Sequence, residues 1–175
     1  MDHVNNALLM CCGALALAGL PAQASPISVL EVKIELRVLD FVTEPPARTE
    51  VAVLYDREVR GSAEEAAAIL QALEESQELE RNKIAPRLVE AHALASAKNL
   101  KAVILPPGTA NEAVMQYGIA NQTLVMSSGS ACVRNHHCMV GVSTNPVVEI
   151  GVDSPAIHAG RIQFADGFQL MVKEY

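Results

Sequence analysis

Short apolar runs alternate with capped, amphipathic stretches through the middle of this chain, and that alternation restricts the fold more than any other feature. Thr49 to Tyr55 reads TEVAVLY and Leu100 to Leu105 reads LKAVIL, each bounded by proline, glycine or aspartate. Brief, nearly continuous apolar runs of this kind are how strands buried on both faces look. Between them, Ser62 with Glu65 three residues later has the form of a capping box that opens a helix. Ala66, Ile69, Leu70, Leu73 and Leu79 give this helix an apolar face, and Glu64, Glu74, Glu75 and Glu78 a solvated one. Ile84 to Glu90 predicts a further strand, which Pro86 places at an edge. Ala91 to Asn99 predicts a short helix. Thr109, with Glu112 at the capping-box position, predicts another through Gln116, and Thr123 to Met126 a fourth strand. The expectation is α/β: a single compact domain with a mostly parallel central sheet flanked by helices, in a flavodoxin-like or Rossmann-like three-layer arrangement.

The flanks of this core are harder to assign. Ile27 to Val42 alternates Leu30, Val32, Ile34, Leu36 and Val38 with charged residues, which is a strand period, although Leu30, Ile34, Val38 and Phe41 also fit a helical stripe. Pro45-Pro46 ends the segment in either case. Met139 to Ser143 and Val147 to Val152 predict two strands split by Asn145-Pro146. Asp153 and Ser154 precede a short helix over Pro155 to Ala159 with proline at its first position. Phe164 to Glu174 closes the chain as a helix with Phe164, Phe168, Met171 and Val172 on one face, or as a terminal strand.

Ala7 to Leu20 is an apolar run followed by Ala22-Gln23-Ala24, the pattern of a secretory signal peptide cut after Ala24. The region before it lacks Lys and Arg, and the competing reading is an uncleaved anchor, for which the run is short. Cys11 and Cys12 leave with the leader, so residues 25–175 form the mature, exported domain. The chain carries 20 acidic against 13 basic residues, a balance opposed to nucleic-acid binding. It has no Trp and 3% aromatic residues, too little for a stacking platform or a sugar-binding face.

Cys132 and Cys138 enclose Val-Arg-Asn-His-His between two apolar runs, the shape of a stapled hairpin. Two cysteines left in an exported chain are more often bonded than free, so a structural disulfide is expected. The rivals are a redox switch and a zinc site from Cys132, His136, His137 and Cys138. Ser127, Ser128, Gly129 and Ser130 suggest a phosphate nest or nucleophile elbow, but Gly129-Ser130-Ala131 does not satisfy G-x-S-x-G, and a plain loop is expected. His92 and His158 stand alone and read as ordinary histidines. Asp56, Pro106 and Gly108 follow predicted strands at their carboxyl ends, where α/β sheets bind ligands, and are the candidate ligand-facing residues. No catalytic constellation, cofactor motif or metal site is expected.

The exported leader, the first amphipathic segment running into Pro-Pro, VAVLYD before an acidic Ala-rich helix, LKAVILPPG, the cysteine-closed loop and VEIGVDSPAIHAGRIQF together resemble the YfiR-like family of small periplasmic proteins. The resemblance implies a compact α/β domain whose first segment is helical, and a regulatory role without catalysis. It implies as partner the periplasmic sensor domain of an inner-membrane diguanylate cyclase, restrained so as to limit cyclic-di-GMP and biofilm, with a homodimer as a further association. Cys132 and Cys138 match a family disulfide, while a second family disulfide has no counterpart here. The alternative function is a single-lobe periplasmic solute-binding protein holding a small molecule near Asp56 and the loop after Leu105.

Overall fold

Six consecutive residues, Glu50 to Tyr55, form strand β2, and its inner four (Val51, Ala52, Val53 and Leu54) have no exposed surface. Total burial of such a run requires neighbours on both edges and both faces, and the computed structural model supplies them. It describes residues 27–44, 50–77, 79 and 83–175. The predicted leader and Pro45-Pro46 lie outside the described residues. In chain order the elements are α1 (Val29–Asp40), β1 (Val42–Glu44), β2 (Glu50–Tyr55), α2 (Ser62–Glu74), β3 (Ala85–Glu90), a 3-10 turn (Ala91–Ser96), β4 (Leu100–Leu105), α3 (Glu112–Asn121), β5 (Leu124–Ser128) and α4 (Ala131–Arg134). They continue with β6 (Val140–Ser143), β7 (Glu149–Val152), α5 (Ser154–Ala159), β8 (Gln163–Phe164), a second 3-10 turn (Asp166–Leu170) and β9 (Val172–Glu174).

The main sheet has seven strands in the order β3-β2-β4-β5-β6-β7-β9. Pairing is parallel from β3 to β6, antiparallel between β6 and β7, and parallel again between β7 and β9. Helices α1 and α2 pack on each other and on the sheet, while α3 packs on β5 and α5. This is the mostly parallel three-layer α/β architecture that the alternation predicts. A small second sheet pairs β1 with β8, so that Phe164 stacks on Phe168 at 4.2 Å between ring centroids.

Several local expectations are corrected. The first segment is a helix, as the resemblance implies and against its strand-like period: Ser28 and Glu31 form a true capping box, and Val32, Leu36 and Leu39 make the buried stripe. The alternation misleads because Leu30 is more than half exposed and Glu35 is wholly buried. Ser62 does not cap α2. Gly61 takes the N-cap position, and the Ser62 hydroxyl instead accepts the Asp56 N–H at 2.9 Å. Helix α3 is capped by Asn111, whose side chain accepts the Val114 N–H at 3.1 Å, and it runs on to Asn121. Thr109 instead donates its hydroxyl proton to the Pro106 carbonyl. The stretch expected as a short helix after β3 is a short helix of the 3-10 type, Ala91–Ser96, which ends before Asn99.

The stapled hairpin is also corrected. Strands β5 and β6 are parallel, so the cysteine loop is a compact crossover carrying α4. The hairpin of this region lies one step later, between β6 and β7, around a cis Asn145-Pro146 bond. The C-terminal segment is neither one helix nor one strand but the series β8, 3-10 turn and β9.

Candidate functional site

A cavity of about 480 Å³ opens at the carboxyl ends of β4, β5 and β6. Parallel strands deliver their last residues to one end of the sheet, where backbone groups and short side chains converge before each crossover. Ser127 and Ser128 end β5 and line the cavity. The Ser127 hydroxyl donates to the Leu105 carbonyl at 3.0 Å, which joins the ends of β5 and β4. The Ser128 hydroxyl is buried and has no hydrogen-bond partner among the described residues. Gly129 then turns the chain with φ of 78°, a conformation that favours glycine.

One wall is the crossover with α4. Cys132 and Cys138 are joined, and both are buried. His137 and Asn135, from the same crossover, line the cavity. His136 points away: its Nδ1 lies 2.8 Å from Asp153 Oδ2, and Asp153 Oδ1 accepts the Ala156 N–H at 2.9 Å as the cap of α5. One buried aspartate thus ties the crossover to the next helix. The joined sulfurs are not thiolates and the two histidines diverge, so the zinc arrangement weighed from sequence is replaced by a stapled wall.

The opposite wall comes from a distant part of the chain. Glu31, in the first turn of α1, lines the cavity. Its Oε2 accepts the Ser28 N–H at 3.0 Å, and its Oε1 accepts the Thr144 N–H at 3.3 Å and the Thr144 hydroxyl at 3.2 Å. These bonds hold the start of α1 against the β6–β7 loop, which adds Ser143 and Asn145 to the rim. Glu35 follows one turn later. Its carboxyl is fully buried without a partner among the described residues, and burial, with Glu31 nearby, pushes its pKa up to about 8.

Among solved structures, the chain is similar to one described as the ABC domain in complex with L-Trp from Streptococcus pneumoniae, with a TM-score of 0.57 and 10% identity over 82% of this chain and 60% of that one. It is similar also to a conserved domain protein from Vibrio cholerae O1 biovar El Tor, with a TM-score of 0.56 and 10% identity over 82% of this chain and 59% of the other. No protein-family model matches the chain, and no curated protein matches it. The chain spans about 60% of the length of the solved structures it resembles. Likeness at this identity shows a shared α/β fold.

The residues expected to face a ligand separate in this frame. Gly108 lines the cavity, together with Pro107. Pro106 is buried beneath them at the end of β4. Asp56 lies at the carboxyl end of β2 and does not line the cavity; its Oδ1 accepts the Glu58 N–H at 2.9 Å in the turn toward α2. His92 pairs with Glu90 on the surface at 3.1 Å. His158 lines a second cavity of about 400 Å³ beside Phe164 and Phe168. Sequence reasoning missed Glu31, Asn135 and Asn145, and set aside Ser127 and Ser128 as a loop. The Ser-Ser-Gly-Ser run after a buried strand was the available signal. Nothing local announces Glu31, whose role depends on contact with Thr144, 113 positions away.

The disulfide fits an oxidising location outside the cytoplasm. Among the described residues no helix is long and apolar enough to cross a membrane. Because the bond closes a loop with a sequence separation of 6, replacing both cysteines with serine is expected to cost roughly 2 kcal/mol by the chain-entropy relation. Urea unfolding of the double variant against the oxidised parent measures this. A loss below half that value would mean that the bond restricts the unfolded chain less than the relation requires.

Proposed function

We propose that this chain is a non-catalytic domain that binds a small polar molecule in the cavity at the carboxyl ends of β4, β5 and β6. The observation that carries this reading is Ser128, a residue of the cavity wall whose buried hydroxyl has no hydrogen-bond partner among the described residues. An unmatched buried hydroxyl costs stability, and a ligand that supplies the missing partner recovers it. The cavity volume of about 480 Å³ is within the range of small-molecule sites. The site lies one strand beyond the switch between β2 and β4, at the end of the sheet where doubly wound folds hold ligands. A thermal-shift screen of polar metabolites tests the reading: a ligand raises the melting temperature in proportion to the logarithm of its concentration. A flat response across such a set at millimolar concentration would sink it.

A second reading follows the family resemblance: a periplasmic YfiR-like regulator that restrains the sensor domain of an inner-membrane protein such as a diguanylate cyclase. It is favoured by exposed apolar residues beside the cavity. Val29 and Leu30 are 57% and 53% exposed at the start of α1, and Val147 and Val148 are 67% and 58% exposed in the β6–β7 loop. The Glu31–Thr144 bonds bring these two segments to the same end of the molecule. A pull-down of solubilised inner-membrane proteins distinguishes the readings. Recovery of one sensor-type protein, lost on replacing Val147 and Val148 with serine, supports regulation; beads empty with and without reductant oppose it.

A further inference from the structure

Given the binding role proposed above, the charges on the cavity walls restrict what enters. Among the described lining residues there is one carboxylate, Glu31, and no lysine or arginine. Arg134, on the neighbouring α4, is engaged elsewhere: its Nη1 donates to Ser130 Oγ at 2.6 Å and its guanidinium lies 5.7 Å from the centroid of the Tyr175 ring. A phosphate or carboxylate in the cavity would meet a like charge with no lysine or arginine to offset it, His137 being the one basic side chain on the wall. Among the described lining residues there is no Phe, Tyr or Trp, and the imidazole of His137 is the one ring on the wall, so a flat aromatic ligand gains little stacking there.

The same walls are rich in acceptors. A carboxylate takes about four hydrogen bonds, and Glu31 receives three, the two on Oε1 being long at 3.2 and 3.3 Å. Ser127 has committed its proton to the Leu105 carbonyl, so it presents lone pairs alone. Ser128 has both proton and lone pairs uncommitted. An ammonium group offers three donors and no acceptor, the complement of this arrangement. We infer that the cavity is a site for a small aliphatic ammonium compound, its charge held by Glu31 and its remaining N–H groups by the hydroxyls of Ser127 and Ser128.

Calorimetric titration of the purified protein with ethanolamine, putrescine, glycerol, succinate and inorganic phosphate tests the inference. The amines are expected to bind and the two anions not to, with affinity falling as salt is raised. Glu31→Gln keeps an oxygen to cap Ser28 but removes the charge, and is expected to weaken amine binding by about tenfold or more. Ser128→Ala, which leaves the helix cap alone, is expected to weaken it several-fold. Unliganded melting curves of both variants report whether the fold is intact. Binding of succinate, phosphate or glycerol without the amines would overturn the ammonium inference and leave the cavity reading standing, as would amine affinity unchanged in Glu31→Gln. Absence of heat and thermal shift with all five compounds would overturn both.

Discussion

Replacing Glu35 with leucine is expected to stabilise the protein at neutral pH and to flatten its stability against pH. The carboxyl is fully buried in α1, with neither oxygen partnered among the described residues, and burial followed by the charge of Glu31 raises its pKa from 4.5 to about 8. Between those two values the folded chain keeps a proton that the unfolded chain has released. Stability contributed by this site therefore falls as pH rises through the window, by roughly 1.4 kcal/mol per pH unit, and levels off above the folded pKa. Leucine fills a similar volume and carries no group to desolvate, so at neutral pH the gain is on the order of 2–4 kcal/mol. Urea unfolding at acidic, neutral and mildly basic pH measures both effects. The parent should lose stability across the series beyond what Glu35→Leu loses. Parallel curves for the two proteins would mean that Glu35 finds a partner or solvent when folded.

The second large effect is expected at Gly141, in the middle of β6. A methyl group there would run into the carbonyl oxygen of Gly129 and come within 2.9 Å of Val133 Cγ2. The first obstacle is backbone, in the turn that follows Ser128. Relief requires moving that turn or breaking the bond from the Gly129 N–H to the Val142 carbonyl. Gly141→Ala is therefore expected to cost about 3 kcal/mol or more, at the upper end of overpacking effects. Gly167→Ala is the matched control, because its added Cβ meets nothing within 4 Å. That variant should be neutral or slightly stabilising, since alanine reduces the freedom of the unfolded chain. Equal unfolding midpoints for the two variants would show that the turn after β5 yields easily.

The fold was legible where burial and local chemistry agree. The runs at Val51 to Leu54 and Leu100 to Leu105 are apolar because they are enclosed, and the helices between them carry a wet face and a dry one. Legibility failed where one residue opposed its surroundings. Glu35 on the dry side of α1 and Leu30 on its wet side turned a helical stripe into an apparent alternation. Ser62 and Thr109 are good capping residues used for other bonds, while Gly61 and Asn111 take the caps. The cysteine pair was readable, but the direction of β6 was not, since two apolar runs around a tight polar loop fit a hairpin as well as a short crossover. The cavity was legible only at Gly108 and the serines, because its other walls are assembled by contacts between distant segments.

The margins of the seven-stranded sheet bear on how any partner can attach. On one side β3 carries Pro86, which has no N–H to offer, followed by Arg87, which is paired to Glu50 at 3.0 Å. On the other, β9 is three residues long. Neither margin presents an unbroken row of amide donors onto which a foreign strand could zip, which protects the chain against end-to-end aggregation. A partner meeting either margin of this sheet would therefore find side chains and loops, and not an open row of amides to extend.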